Sequence, residues 1–340
     1  MHIEKPEVIV FFGGGQLMID LPVIALDKGY EVLVFAVKRH LDEEVARGKS
    51  LACQLQKEGI TFYQQADINL APQLQELKNR SILGIGIGEN YTFAQKTIEI
   101  FNGQIFDLMT INLPQYRGGA HFTWQILRKE KIGAWKLQEI NEYMVPGKFD
   151  SGRIVDSMKF KLPKELRIPK DYFVFYNTKA KSFFKNFLAN VDAAKEFDLS
   201  ILDESESSFF PRQYSLIQAF INWNWSAEEI ERFICAFDQP YSGAMTFLNN
   251  SKVYLGSVHL SKSEASFHPY MSGLIYRASE EKVFVCGNGG SLEISDIRDS
   301  SGESIILSTL VGSRFFTPSN SLEQSLSYCA EYDENGLVKK

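Results

Sequence analysis

Glu7-Val8-Ile9-Val10-Phe11-Phe12-Gly13-Gly14-Gly15 sets a run of β-branched and aromatic residues against three consecutive glycines. An apolar run of this length bounded by glycine predicts a buried strand that ends in a tight turn. Gln16 to Lys28 then carries helical spacing, and Tyr30-Glu31-Val32-Leu33-Val34-Phe35-Ala36 supplies a second apolar run. Strand, glycine turn, helix, strand is the opening of an α/β domain with a doubly wound, mostly parallel sheet. Gly59 to Tyr63 and Ser81 to Ile87 predict further strands, with helices over Leu41 to Lys57 and Ala71 to Asn79 between them. The glycine triplet has two readings. Its backbone N–H groups can cradle a phosphate at a helix start, or it can simply turn the chain. Leu17 and Met18 break the dinucleotide spacing and no Walker lysine follows, so the plain turn is preferred.

A chain of 340 residues exceeds what one hydrophobic core usually supports. Residues 1–202 read as the first unit, ending in a helical stretch from Asp171 to Phe197 with Phe183, Phe184, Phe187 and Leu188 on one stripe. The polar run Asp203-Glu204-Ser205-Glu206-Ser207-Ser208 places a linker at 203–211. Residues 212–315 read as a smaller, β-barrel-like second unit. In it Ser226 caps a helix over Ala227 to Phe237, Glu229 completes a capping box, and short strands follow from Gly243 to Ile297. Residues 316–340 read as a tail, mobile over Asp333 to Lys340.

A net charge of −6 argues against a large nucleic-acid partner. No apolar run is long enough to span a bilayer and no signal-peptide pattern opens the chain, so the cytoplasm is expected. Cys53, Cys235, Cys286 and Cys329 lack any metal-ligand spacing, so buried free thiols and no metal are expected. Oligomeric state is left open.

The most specific motif is Leu113-Pro114-Gln115-Tyr116-Arg117-Gly118, followed by Trp124-Gln125-Ile126 and then Asp150-Ser151-Gly152-Arg153-Ile154. It resembles the folate-dependent formyltransferase family, whose pattern runs Asn-x-His-x-Ser-Leu-Leu-Pro-x-Tyr-Arg-Gly, a helix, a strand and Asp-x-Gly-x-Ile. In the second unit Ile221-Asn222-Trp223, Gln239-Pro240-Tyr241-Ser242-Gly243-Ala244, Val285-Cys286-Gly287-Asn288-Gly289 and Leu292-Glu293-Ile294 are similar to the C-terminal domain that some family members carry.

The resemblance implies attack of a primary amine on the formyl carbon of 10-formyltetrahydrofolate, with an oxyanion to stabilise and protons to move. Asp150 stands at the family's proton-handling aspartate. Counting back from Pro114, however, the family asparagine is replaced by Asp107 and the family histidine by Met109. Neither replacement is a donor to an oxyanion. His121 is the nearby imidazole, read either as a substitute for the lost histidine or as a structural residue at a helix start. The cosubstrate-binding residues expected from the resemblance are Gly88, Tyr91, Phe93, Arg117 and Gly118. The segment Glu142 to Phe149 makes the loop before Asp150 longer than is common in the family. The acceptor expected is the amine of a small molecule, foremost an amino sugar linked to a nucleotide. Two alternatives stand beside it: a binding protein that keeps the fold without catalysis, and formylation of methionyl-tRNA.

Overall fold

The computed structural model describes residues 1–45, 48–88, 91–119, 121–141, 152–261, 267–333 and 336–337. The first unit runs β1 (Val8–Gly13), α1 (Leu17–Asp27), β2 (Glu31–Ala36), α2 (Lys38–Asp42), α3 (Leu51–Lys57), β3 (Thr61–Gln64), α4 (Pro72–Gln75), β4 (Ile82–Ile87), α5 (Gln95–Ile100) and β5 (Ile105–Met109). It continues with β6 (Arg117–Gly118), α6 (His121–Leu127), β7 (Ile132–Glu139), β8 (Ile154–Lys161) and α7 (Pro169–Asp192). The main sheet has the order β3-β2-β1-β4-β5-β7-β8. Its first five strands are parallel, and β7 and β8 are antiparallel additions beyond β5. This is the doubly wound, mostly parallel sheet that the opening residues predict.

Burial explains the strand composition. All six residues of β1 and of β4 are buried, as expected where helices cover both faces of a parallel sheet. The long helix α7 begins with Pro169 in its first turn, where a missing N–H costs nothing. Its stripe of Tyr176, Phe183, Phe184, Phe187 and Leu188 is buried, with Phe184 edge-on to Phe11 at 5.8 Å and Phe187 edge-on to Phe106 at 6.4 Å. Each such ring contributes about 2–3 kcal/mol on burial.

Two predicted helices are shorter than their patterns. Over Leu41 to Lys57 the chain forms α2 and then α3, because Glu43 leaves the helix and its carboxylate accepts the Gly15 backbone N–H. Ser50 restarts the helix by accepting the Cys53 N–H at 3.3 Å. Over Ala71 to Asn79 only α4 is helical. The cysteines are all free, but Cys53 and Cys329 are exposed, which corrects the expectation of four buried thiols. Cys53 lies on the outer face of α3, and Cys329 lies in the irregular chain that follows α10 (Ser319–Ser327).

The second unit comprises α8 (Ser215–Gln218) and α9 (Ala227–Ala236), preceded by the short strand β9 (Phe209–Phe210), and then β10 (Ala244–Leu248), β11 (Ser251–Leu260), β12 (Ile275–Ala278), β13 (Val283–Gly287), β14 (Gly290–Arg298) and β15 (Phe315–Phe316). The antiparallel order is β12-β13-β14-β11-β10-β15. A bridge between Leu274 and Arg314 links the two outer strands, so the sheet curls back on itself. Ser226 and Glu229 form the capping box of α9. Within 316–340, α10 (Ser319–Ser327) docks on α8: the Ser325 hydroxyl donates to the Gln218 carbonyl at 3.0 Å, and the Gln218 amide donates to the Tyr328 carbonyl at 3.1 Å. Most of Asp333 to Lys340 lies outside the described residues.

Residues 203–211 are tied back onto the motif loop. β9 pairs in parallel with β6, and the Arg117 and Gly119 N–H groups donate to Ser208 and Phe210 carbonyls at 3.0 and 3.1 Å. Gly118 makes this approach possible. Its φ is +109°, and a Cβ there would lie 2.0 Å from the Phe210 carbonyl oxygen. Gly118→Ala is therefore expected to lower stability by roughly 2–4 kcal/mol and to open a protease-sensitive site within 203–211. Urea unfolding and limited proteolysis measure both; a wild-type midpoint with an uncut strap would contradict this account.

Candidate active site

Of the residues singled out by the motif, Asp107 and Met109 lie on one face of the main sheet. In-register partners there form a row across strands: Tyr63, Phe35, Phe12, Gly86, Asp107, Gln138 and Ile154. Directly paired residues project to the same side. Gly86 contributes no side chain, so the row has an aromatic end, a gap and a polar end.

Tyr91 and Phe93 cover the aromatic end. Their rings meet Phe12 edge-on at 6.3 and 5.2 Å, and the Tyr91 hydroxyl donates to the Gln65 carbonyl at 2.8 Å. Burial pushes the Tyr91 phenol up, so it stays a neutral donor. Asn69 fixes this loop by donating to the Thr92 carbonyl at 2.9 Å and accepting from the Ala94 N–H at 2.7 Å. Gly88 turns the chain out of β4 with φ +59°.

The polar end is built by β5 and β7. Asp107 is half-buried opposite Gln138, and Met109 is buried opposite Lys136. Gln138 is fully buried. Its amide N–H donates to the Gly152 carbonyl at 2.7 Å, while its Oε1 has no hydrogen-bond partner among the described residues. Lys136 is also buried, and its ammonium donates to the Leu113 carbonyl at 2.6 Å. Desolvation, helped by the neighbouring charge of Lys159, holds the Lys136 amine below the usual lysine range. Met109, Leu113 and Ile154 pack as a small apolar cluster beside it. Lys136 and Gln138 were passed over in the sequence, where they look like the solvent side of an alternating strand. The available signal was a lysine between Trp135 and Leu137 in a strand downstream of the motif helix.

Asp150 lies outside the described residues, as does the preceding loop from Glu142 to Phe149. What is described is the glycine of its motif. A Cβ on Gly152 would lie 2.0 Å from the Glu139 carbonyl oxygen, so only glycine lets this turn lie against β7. Arg153 then pairs with Glu139 through two hydrogen bonds of 2.5 and 2.8 Å.

His121 starts α6 with its ring edge-on to Tyr176. Its Nε2 meets the Gln125 amide nitrogen at 2.6 Å, and that amide also donates to the Tyr176 hydroxyl at 2.8 Å. Burial first, and the nearby Arg128 charge second, lower its pKa to about 4, against a backbone hydrogen bond with Thr110 that raises it. The imidazole is thus neutral at physiological pH and ties α6 to the residue after Met109.

Arg117 makes a fork to Glu204 at 2.5 and 2.8 Å and donates to the Ser207 hydroxyl at 2.7 Å. The hydrogen bonds it donates, and then its charge, lower the Glu204 carboxyl. Arg117 therefore clamps the 203–211 strap. Arg128 adds to the clamp, with its guanidinium 3.7 Å from the Tyr116 ring centroid and 4.4 Å from that of Phe210. Beside Tyr116 a groove of about 470 Å³ opens along β7 and β8, lined by Asn112, Tyr116, Glu130, Ile132, Lys159, Phe160 and Lys161. Register places Ile132, Lys159 and Lys161 on the Lys136 face.

At the glycine triplet the anion position is already filled. Glu43 accepts the Gly15 N–H, and a Cβ on Gly14 would collide with Glu43 and His40. Burial raises the Glu43 carboxyl and lowers the His40 imidazole to about 4. An internal carboxylate thus sits where a phosphate would, which agrees with the plain-turn reading.

An α/β sheet with a polar centre at β5 and β7, joined to a curled β unit, is an architecture shared with formyltransferases. Residues 215–313 match the family model described as formyl transferase, C-terminal domain. The chain is 27% identical over 172 residues to the bifunctional polymyxin resistance protein ArnA of Wigglesworthia glossinidia brevipalpis, covering 48% of this chain and 23% of that protein, so it spans under a quarter of that relative's length. It is 22% identical over 288 residues to methionyl-tRNA formyltransferase of Clostridium beijerinckii, covering 82% of this chain and 88% of the relative. In fold it is similar to an N-formyltransferase from Helicobacter canadensis solved in complex with folinic acid and dTDP-3-aminofucose. That likeness has a TM-score of 0.64 at 18% identity and covers 85% of this chain and 99% of the other. Residues 215–313 thus carry the formyl transferase C-terminal domain, and the chain as a whole is similar to formyltransferases in sequence and in fold.

The two depressed histidines set a pH dependence. Their folded pKa values near 4 lie below the ordinary 6.5, so the unfolded chain binds more protons between these limits. Their contribution is complete above about pH 6.5, falls as the pH drops towards 4, and changes no further below that, at up to roughly 3 kcal/mol per histidine. The raised Glu43 carboxyl acts with the opposite sign. His121→Gln isolates one term: urea unfolding should show a shallower loss from pH 6.5 to 4 than in the wild type. An unchanged slope would contradict the neutral, half-buried imidazole.

Proposed function

We propose that this protein transfers a formyl group from 10-formyltetrahydrofolate to the primary amine of a small molecule, a nucleotide-linked amino sugar, and does so in the cytoplasm. One observation carries the reading: the fold is similar to that of the Helicobacter canadensis N-formyltransferase over 85% of this chain, and residues 215–313 match the formyl transferase C-terminal domain. Folinic acid and dTDP-3-aminofucose in that complex suggest the donor and acceptor classes.

The residues fit such a donor and acceptor. Gly86 adds no side chain to the sheet row, and Tyr91 and Phe93 stand to one side of it as rings for the flat pterin, with Gly88 at the end of β4. Asp107 and Gln138 stand at the other side as acceptors for an amine N–H. Lys159 and Lys161, in the groove beside Tyr116, provide positive charge for an anionic acceptor. Arg117 and Gly118 hold the strap that rims the site rather than reaching into it. Asp150 is assigned the proton-handling role on its Asp-x-Gly setting, and His121 the support of the loop after β5.

Formylation of methionyl-tRNA is the second reading, favoured by the relative that covers 82% of this chain. One assay separates the two. The purified chain is incubated with 10-formyltetrahydrofolate and either a panel of nucleotide-linked amino sugars or methionyl-tRNA, and formylated product is identified by mass spectrometry. Product from an amino sugar nucleotide, lost by about 10²-fold or more in Asp150→Asn with the fold intact, is the expected result. Product from methionyl-tRNA alone would move the assignment to the second reading. No product from either would leave a binding protein on a formyltransferase fold.

A further inference from the structure

We propose that Lys136 is a catalytic residue of this centre, its ammonium holding the oxyanion that develops when the acceptor amine attacks the formyl carbon. The proposal rests on the formyl-transfer reading and deepens it.

The argument begins with what the reaction demands and what β5 lacks. As the amine lone pair forms the new C–N bond, the π pair of the formyl C=O moves onto oxygen. When C=O reforms, the electrons of the breaking bond go to the folate nitrogen, and the proton lost by the amine balances the one gained there. The negative charge on oxygen needs a donor aimed at it in a dry site. Asp107 is a carboxylate and adds negative charge; Met109 has no proton to give. Some other group must offset Asp107 for this chemistry to run.

Lys136 is that group by position. It is the register partner of Met109, on the sheet face that carries Asp107 and the Gly86 gap. It is 7% exposed, far below what a strand lysine with a solvated head would show. Among the described residues its one hydrogen bond goes to the Leu113 carbonyl, in the motif loop itself. A lysine ammonium has three donors, so two remain for a ligand. A buried cation with a single neutral acceptor is costly, and a purely structural role would be filled more cheaply by an apolar residue at a position flanked by Met109, Leu113 and Ile154. Gln138, two residues on, repeats the pattern with a fully buried and unpartnered Oε1. Together they present a donor and an acceptor side by side, which suits an oxyanion and the N–H of its attacking amine. Lys136 keeps its protons throughout and acts by charge and hydrogen bonding.

The test compares wild type with Lys136→Met, Lys136→Arg and Lys136→Ala. With 10-formyltetrahydrofolate and the accepted amino sugar nucleotide, Lys136→Met is expected to lower kcat by about 10²–10³-fold while KM moves by less than about threefold, as for removal of an oxyanion donor. Methylammonium should restore part of the turnover of Lys136→Ala. A readout independent of turnover uses protein labelled with ¹³C at lysine Cε: the resonance absent from Lys136→Arg should shift when 5-formyltetrahydrofolate is added. If Lys136→Met does not fold, Lys136→Arg and the resonance shift still decide. Wild-type turnover in Lys136→Met, or no shift of the Lys136 signal on saturation with folate, overturns the proposal while leaving the formyl-transfer reading in place. An inactive wild type whose Lys136 signal is also unmoved overturns both.

Discussion

The antiparallel pairing of β7 against β5 is the constraint on which the site depends. Every strand before it is parallel, and a parallel sheet with helices on both faces buries its strands almost completely. Reversal at β7 does two things. It makes room for β8, the strand in which burial gives way to alternate exposure, and it fixes Gln138 opposite Asp107 and Lys136 opposite Met109. A slip of one residue would turn both polar groups to the other face, against the buried Phe106 and Leu108, and bring Trp135 and Leu137 to the face of Asp107. The apolar alternation of β7 thus holds the chemistry in register.

Around that pairing the remaining parts act as supports. His121, Gln125 and Tyr176 tie α6 and α7 to the residue after Met109. Arg117, Arg128, Tyr116 and Phe210 hold the 203–211 strap across the motif loop, so the passage between the two units is fixed to that loop. Exposed ion pairs contribute little in isolation, about 0–1 kcal/mol, but here the fork, the backbone pairing and the stacked rings act on the same short segment.

Much of this was legible in the residues. The apolar runs at Val8 to Phe12, Val32 to Ala36 and Ile82 to Ile87 state their burial directly, and Ser226 with Glu229 states a helix start. What escaped depends on distant partners. Glu43 breaks a predicted helix because Gly15 needs its carboxylate. Residues 203–208 have a linker's composition, yet Phe209 and Phe210 find a strand to pair with near residue 117. Lys136 looks like an ordinary exposed lysine until β5, far upstream in sequence, is laid against it. Local composition reports propensity and burial; register and long-range pairing decide which polar residues face a site.

The most direct measurement is a structure of the protein bound to 5-formyltetrahydrofolate. The pterin is expected above Gly86 beside Tyr91 and Phe93, with the formyl oxygen about 3 Å from the Lys136 ammonium. Folate bound elsewhere, or a formyl group turned away from β5 and β7 with Lys136 still held only by Leu113, would contradict the assignment of this face as the reaction centre.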